Sequence, residues 1–265
     1  MKYFCLILLL VPGFLAAQYR PTIVTGRPGQ AIGGLTVGRQ VYQVQTGLNI
    51  GWVGDDPDRV QNFTETTVLR VGLLKHLEVS GVLGVSSVES VTPTGRIRER
   101  GISNTQIGAR YNFLQNDGWR PSLAFQGRAL LTAQDEAFRR DRTGAAFIVS
   151  AGWSLTDVVG FTANLNRSWT GNDTRTTGYV TTLGFSLSDK WSSFVEMYGA
   201  LSDDFTTNFD GGFAYLVSPN VALDASAGWD GNSKLDSYFV NFGISFRFDG
   251  RNEADDGPNS RINEF

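Results

Sequence analysis

The segment from Gly101 to Thr132 constrains the fold of this chain more than any other. It reads GISNTQIGARYNFL, then QNDG, then WRPSLAFQGRALLT, so two runs of alternating apolar and polar residues flank a turn. Period-two alternation predicts strands with one apolar and one polar face, and Asp117-Gly118 supplies the positive φ of a tight hairpin. Each run is about 13 residues long, against a usual strand length of five or six. Strands of this length and pattern are typical of membrane barrels.

The same alternation recurs along the chain and predicts an all-β fold, a transmembrane antiparallel up-and-down β-barrel of about 12 strands. The predicted strands cover residues 41–53, 62–73, 76–88, 101–114, 119–132, 143–154, 157–169, 175–188, 191–202, 205–217, 221–230 and 237–248. Short turns alternate with connections that are mostly longer and polar. This is the arrangement of outer-membrane barrels, which have short periplasmic turns and longer extracellular loops.

All six tryptophans lie near predicted strand ends and point outward by strand parity. Those at the ends that lead to the longer loops are Trp52, Trp169 and Trp229, and those beside short turns are Trp119, Trp153 and Trp191. Tryptophan side chains prefer the membrane–water interface. We therefore interpret the six residues as two aromatic girdles. Six core tryptophans of a soluble protein, the alternative, would not all be placed at strand ends.

The two ends of the chain predict export. Residues 1–17 have a short basic start, an apolar stretch (FCLILLLVPGF) and a small-residue cleavage site after Ala17, which indicates a cleaved signal peptide. Residues 18–40 are predicted to form an extended N-terminal periplasmic leader, which either stays in the periplasm or enters the barrel mouth. The barrel covers residues 41–248, and 249–265 form an acidic C-terminal periplasmic tail. The expected location is the bacterial outer membrane, with its lipid as a partner.

The residue inventory argues against several functions. A formal charge of −3 gives no indication of nucleic-acid binding. The sequence has one histidine, His76, and one cysteine, Cys5, which falls in the predicted signal peptide. These are too few for a zinc site, and no sequence motif identifies a serine that would join the histidine in a catalytic triad. Asp55, Asp56 and Asp58 are interpreted as solvated loop residues. We therefore expect no catalytic residue, no metal and no cofactor.

Strand parity assigns a set of charged residues to the barrel interior, where a solute would pass. The candidate lumen or constriction residues are Arg70, Glu78, Arg110, Arg120, Arg128, Glu196, Asp210, Asp224 and Arg247. Arg70 and Glu78 are equidistant from the turn at Leu74, which predicts that they face each other directly across strands. Asp224 and Arg247 are candidates for a second pair. The charges either brace the wall or filter solutes, and their near balance argues against strong ion selectivity.

Several segments resemble a known family. They are GISNTQIGARYNFLQNDGWRPSLAF with LRVGLLKHLEVSGVLG before it, SLSDKWSSFVEMYGALSDD, DGGFAYLVSPNVALDASAG and VNFGISFRF. Together they are similar to the outer-membrane transporter family named for the MetA pathway of phenol degradation. The resemblance covers most of residues 40–248. It implies export to the outer membrane and passage of small, hydrophobic or aromatic molecules, and it supplies no catalytic or ligand-binding residues.

Two functional classes follow from these observations. The first is a transporter or channel for a small-molecule solute. The second is a non-conducting structural, adhesive or assembly-partner barrel, for which the short loops offer only a modest surface. A soluble β-barrel is a third, minor alternative.

Overall fold

The structure is a computed structural model in which residues 21–54, 58–201, 205–231 and 237–250 are described. The predicted signal peptide, Asp55, Asp56 and tail residues 251–265 lie outside the described residues. Within the described ranges, no helix is both long and apolar enough to cross a membrane.

Twelve strands follow one another along the chain. They are β1 (Val41–Val53), β2 (Arg59–Leu74), β3 (Leu77–Thr92), β4 (Gly95–Leu114), β5 (Ser122–Leu130), β6 (Gly144–Ser154), β7 (Val159–Trp169), β8 (Arg175–Ser186), β9 (Trp191–Ala200), β10 (Asn208–Ser218), β11 (Val221–Asp230) and β12 (Ser237–Asp249). A single turn of 3-10 helix, Glu136–Phe138, lies between β5 and β6.

Each strand pairs antiparallel with the next, and β12 pairs with β1 to close the barrel. The closing register runs from Val41 opposite Asp249 to Val53 opposite Ser237. Closure removes the free sheet edge, so the backbone N–H and C=O groups of every strand find partners inside the hydrocarbon layer. The predicted fold class and strand number are confirmed.

Polar side chains are buried inside the barrel and apolar side chains are exposed outside it, which is the reverse of their distribution in a soluble protein. On β1, Gln43 and Gln45 point inward and are buried, whereas Tyr42 and Leu48 lie on the outer face and are exposed. Large side chains that are almost completely buried include polar ones, with Glu78 and Asn112 among them. An apolar outer surface around a polar interior is stable only where the outside solvent is lipid.

Five of the six tryptophans pack against outward aromatic residues of a neighbouring strand. The ring pairs, with centroid separations, are Trp52–Tyr238 at 5.0 Å, Trp191–Tyr215 at 4.8 Å, Trp153–Phe161 at 5.6 Å, Trp229–Phe209 at 5.7 Å and Trp169–Phe147 at 5.9 Å. Trp119 lies in the β4–β5 turn and is 84% exposed. The role of these residues as interface girdles stays our interpretation.

The strand boundaries differ from the prediction most clearly at the β3–β4 hairpin and at the start of β5. The predicted loop 90–100 is the tip of the β3–β4 hairpin, which turns at Pro93-Thr94. Residues 92–100 are exposed on both faces, because the ribbon projects beyond the barrel wall. β5 begins at Ser122 and not at residue 119. Pro121 cannot donate to the ladder, so Trp119 and Arg120 remain in the turn.

Candidate functional site

Residues 21–40, called the leader below, lie inside the barrel at its short-turn end. The backbone N–H of Ile23 donates to the carbonyl of Pro219 in the β10–β11 turn at 2.8 Å. At the other end of the leader, the hydroxyl of Thr36 donates to the carbonyl of Lys75 in the β2–β3 turn at 2.9 Å. The sequence predicts that this segment either stays in the periplasm or enters the barrel mouth. Its described part lies inside the lumen.

Arg27 attaches the first half of the leader to the wall. Its guanidinium donates to Asn241 Oδ1 at 2.7 Å and forms an ion pair with Asp224 at 3.3 Å. Gly47 of β1 and Gly243 of β12 lie opposite each other, and a Cβ at either position would meet the Arg27 guanidinium. The two glycines therefore create a slot that the arginine fills.

The middle of the leader is held by side chains that act as partners for its backbone. Glu196 accepts the N–H groups of Gln30 at 2.6 Å and of Ala31 at 3.0 Å. The amide of Asn164 accepts from the N–H of Ile32 at 2.6 Å and donates to its carbonyl at 2.9 Å. These bonds satisfy backbone groups of a segment that has no strand partner.

Arg70 and Glu78 form the predicted ion pair, although not by direct opposition. In the register Arg70 faces Ser80 and Glu78 faces Gly72, with a bulge between Gly72 and Leu74. The guanidinium reaches diagonally and donates through Nε at 2.9 Å and through Nη2 at 2.8 Å to the two carboxylate oxygens. Paired bonds of this kind fix both side chains and give a strong charge-assisted contact.

Arg110 and Asn112 of β4 hold the last part of the leader. Arg110 lies 3.7 Å from the Glu78 carboxylate and donates to the carbonyl of Leu35 at 3.0 Å. Asn112 donates to the carbonyl of Gly34 at 2.7 Å. The N–H of Val37 donates to Glu78 Oε2 at 2.9 Å. The buried charges of this wall thus contact the leader directly.

Apart from Arg247 on β12 and Glu78 on β3, the charged candidate residues of the lumen wall are segregated on opposite sides. The basic residues Arg70, Arg110 and Arg128 lie on β2, β4 and β5, around Glu78 on β3. The acidic residues Glu196, Asp210 and Asp224 lie on β9, β10 and β11. In the barrel order β4 and β10 are diametrically opposite. The electric field therefore runs across the lumen, and the leader lies between the two walls.

The remaining candidate residues occupy different positions. Arg128 is half-buried and donates to Gln106 Oε1 at 3.0 Å. Arg247 lies at the short-turn end and donates to Asn220 Oδ1 and to the carbonyl of Pro21, both at 2.8 Å. Arg120 is exposed in the β4–β5 turn, in an isolated bridge with Asp117, so its predicted place on the lumen wall is wrong.

A cavity of about 540 Å³ remains between the leader and the wall formed by β7 to β11. Small and hydroxyl-bearing residues line much of it, including Thr182, Gly184, Ser192 and Ala214. Phe194 adds an aromatic side chain beside the leader. Among the residues the structure describes, no group of three or more His, Cys, Asp and Glu side chains is arranged to hold a metal ion.

Solved structures place the fold among outer-membrane β-barrels. The COG4313 outer membrane channel from Pseudomonas putida F1 is 11% identical, with a TM-score of 0.66 over 84% of this chain and 99% of that chain. The KdgM porin is 7% identical, with a TM-score of 0.52 over 78% and 99%. The NanC porin is 11% identical, with a TM-score of 0.52 over 76% and 98%. At these identities the likeness shows the fold.

The sequence shows to which family the chain belongs. Residues 25–248 match the family model described as "Putative MetA-pathway of phenol degradation", and the chain belongs to this family. The match includes most of the leader as well as all but the last residue of the barrel. No functionally curated protein matches the sequence.

Proposed function

We propose that the protein is an outer-membrane channel for small molecules, whose short-turn end is closed by the leader and opens when the leader leaves the lumen. The observation that carries this proposal is the way the leader is held. Arg27 of the leader donates to Asn241 of the wall, and the wall residues Glu196, Asn164, Arg110 and Glu78 bind the leader backbone, all through polar bonds.

Polar attachment makes the leader displaceable. Each hydrogen bond contributes only about 0.5–1.5 kcal/mol net, because water replaces the partner when the bond is broken. An opened lumen would be wet, so the wall charges would be hydrated after the leader moved. A plug held by a large apolar interface would be harder to displace, because its departure would expose that apolar area to water at a cost in free energy.

The proposed solutes are small and hydrophobic or aromatic. A cavity of about 540 Å³ lies within the range of roughly 300–1,000 Å³ that is usual for small-molecule sites. Phe194 offers a ring to an apolar solute, while the small residues opposite leave space. Family membership and the fold shared with a solved outer membrane channel support the same class.

The proposal includes the topology of the mature chain and the absence of an enzymatic role. The signal peptide is cleaved after Ala17, the short turns face the periplasm, and the tail after the last strand lies on the same side. The lumen charges bind and steer solute and catalyse no reaction, since the one histidine, His76, lies beside a short turn.

Liposome swelling with graded uncharged solutes tests the proposal. We expect proteoliposomes to swell faster than protein-free liposomes in small solutes, and fastest with a Gly47→Val variant, whose side chain would displace Arg27 of the leader. The rate should fall steeply as solute size increases. An aryl glucoside and a disaccharide of similar mass form a matched pair, and the aryl glucoside should enter faster.

Two outcomes would contradict the proposal. Absence of swelling with every solute, both from liposomes that contain the folded wild-type barrel and from liposomes that contain the folded Gly47→Val variant, would favour the non-conducting structural or adhesive class. Faster entry of the disaccharide than of the aryl glucoside would reject the aromatic preference and leave a general channel.

A further inference from the structure

The projecting tip of the β3–β4 hairpin carries three arginines on one face. Arg100 lies opposite Ser87, Arg98 opposite Glu89 and Arg96 opposite Val91. The face is identified through β2, where Phe63 is opposite Ser87 and is exposed on the outer wall. The arginines therefore continue the lipid-facing surface of the barrel and do not point towards the lumen.

The side chains converge instead of spreading apart. The Nε atoms of Arg98 and Arg100 donate to the same Ser87 hydroxyl oxygen, at 3.3 and 3.2 Å. Arg96 forms an ion pair with Glu89 at 3.2 Å. Two guanidinium groups that share a neutral acceptor leave a positive charge that an anion would stabilise.

Neighbouring charges do not remove this excess. Arg59 of β2 lies opposite Val91 and adds a further cation to the same face, with Asp58 next to it in the chain. Glu99 lies opposite Val88, which places it on the other face of the ribbon. Three arginines of the tip therefore share their face with Glu89 alone among the acidic residues of β3 and β4.

The arginines begin where the apolar band ends. Leu77 lies opposite Tyr111 at the short-turn end, and Ser87 lies opposite Arg100, about ten residues further along β3. Ten residues span roughly 33 Å of strand, or about 25 Å of membrane depth at a tilt near 40°. This equals the usual height of the apolar band, so the guanidinium groups reach the headgroup level.

We propose that Arg96, Arg98 and Arg100 bind the phosphate groups of the anionic lipid in the outer leaflet, which are the phosphates of lipopolysaccharide. Guanidinium groups match phosphate oxygens in a two-pronged geometry and remain charged at every physiological pH. A lipid headgroup is the anion that this position offers, because the cluster continues the lipid-facing wall at the membrane edge. The proposal does not depend on whether the barrel conducts.

The test measures binding of purified lipopolysaccharide to the full-length barrel in detergent micelles, for example by native mass spectrometry. Each arginine at an anionic surface contributes a factor of about five, so Arg96→Ala, Arg98→Ala and Arg100→Ala together should weaken binding roughly 100-fold. The matched control combines Lys75→Ala, Arg120→Ala and Lys190→Ala, which removes the same charge at the short-turn end. We expect this control to bind like the wild type.

Further arms separate the phosphate interaction from other sources of binding. Wild-type affinity should fall with added salt and with removal of the lipid A phosphates, and the three Arg→Lys changes should give an intermediate affinity because the two-pronged contact is lost. Circular dichroism establishes that each variant is folded. Equal affinity of the triple alanine variant, equal affinity for dephosphorylated lipid, or binding of phosphatidylglycerol in preference to lipopolysaccharide would each overturn the proposal.

Discussion

Replacing Glu78 by alanine is expected to lower the free energy of unfolding by about 3–5 kcal/mol. The substitution removes the carboxylate that faces Arg70 at 2.8 Å and Arg110 at 3.7 Å, while both guanidinium groups remain buried. A buried charge that loses its counterion is among the most costly changes in a folded protein. The measurement is equilibrium urea unfolding of the barrel in lipid vesicles.

A matched control uses the exposed Arg–Glu pair at the tip of the β3–β4 hairpin. Glu89 pairs with Arg96 at 3.2 Å, but that arginine is 66% exposed. Glu89→Ala should therefore cost no more than about 1 kcal/mol. The Arg70→Ala and Glu78→Ala double variant should lose less than the sum of the two single changes, because it removes both charges of one pair. A loss below about 1 kcal/mol for Glu78→Ala would show that water already screens this site.

The same substitution has a functional consequence under the proposed channel activity. Arg70→Ala and Glu78→Ala should each change the single-channel conductance in planar bilayers, because they alter the basic wall of the lumen. Loss of Glu78 also removes the acceptor of the Val37 N–H and so loosens the leader.

Gly47→Val is expected to release the leader and raise the conductance several-fold. The valine side chain would occupy the space of the Arg27 guanidinium, which could then no longer reach Asp224 and Asn241. Valine is favourable in a strand, so the barrel itself should remain stable. Planar-bilayer conductance and removal of the leader by a broad-specificity protease are the two measurements.

Gly51→Val is the control for this prediction. Gly51 lies on the same inward face of β1, and a Cβ there would meet its neighbours only at ordinary contact distances of 3.7 Å and more. Its conductance and protease resistance should match those of the wild type. If Gly47→Val leaves the leader protected and the conductance unchanged, Arg27 is not its anchor.

The wall of the barrel could be predicted from the sequence because strand parity is a local property. Alternation alone placed Arg70, Glu78, Arg110, Glu196 and Asp224 inside, where the structure has them. The error at Arg120 is local as well, since the proline after it ends the ladder. The Arg70–Glu78 contact forms although the two residues are not directly opposite as predicted, because an arginine side chain reaches diagonally across a strand pair.

The leader could not be placed in the same way. Residues 18–40 have no period in the sequence, and the described ones, 21–40, bind mainly wall groups that are far away in sequence. Arg27 and Asp224 are 197 positions apart. The segregation of charge also depends on closure, because only the barrel order puts β4 opposite β10. Such relations arise from the tertiary structure and leave no local pattern.

A disulfide between the leader and the wall tests the central claim, that the leader closes the passage. A Cβ at Gly34 would lie 3.2 Å from that of Ser122, close to the 3.5–4.5 Å of natural disulfides. Cys5, the one native cysteine, falls in the predicted signal peptide, so Gly34→Cys and Ser122→Cys give a single bridge in the mature chain.

The decisive measurement is single-channel conductance of this double cysteine variant in the Gly47→Val background, before and after reduction. The oxidised protein should show the low conductance of the wild type, because the bridge keeps the leader in the lumen. Reduction should raise the conductance several-fold to that of Gly47→Val alone. Equal conductance in the oxidised and reduced forms, with the bridge demonstrated by mass spectrometry, would contradict the account.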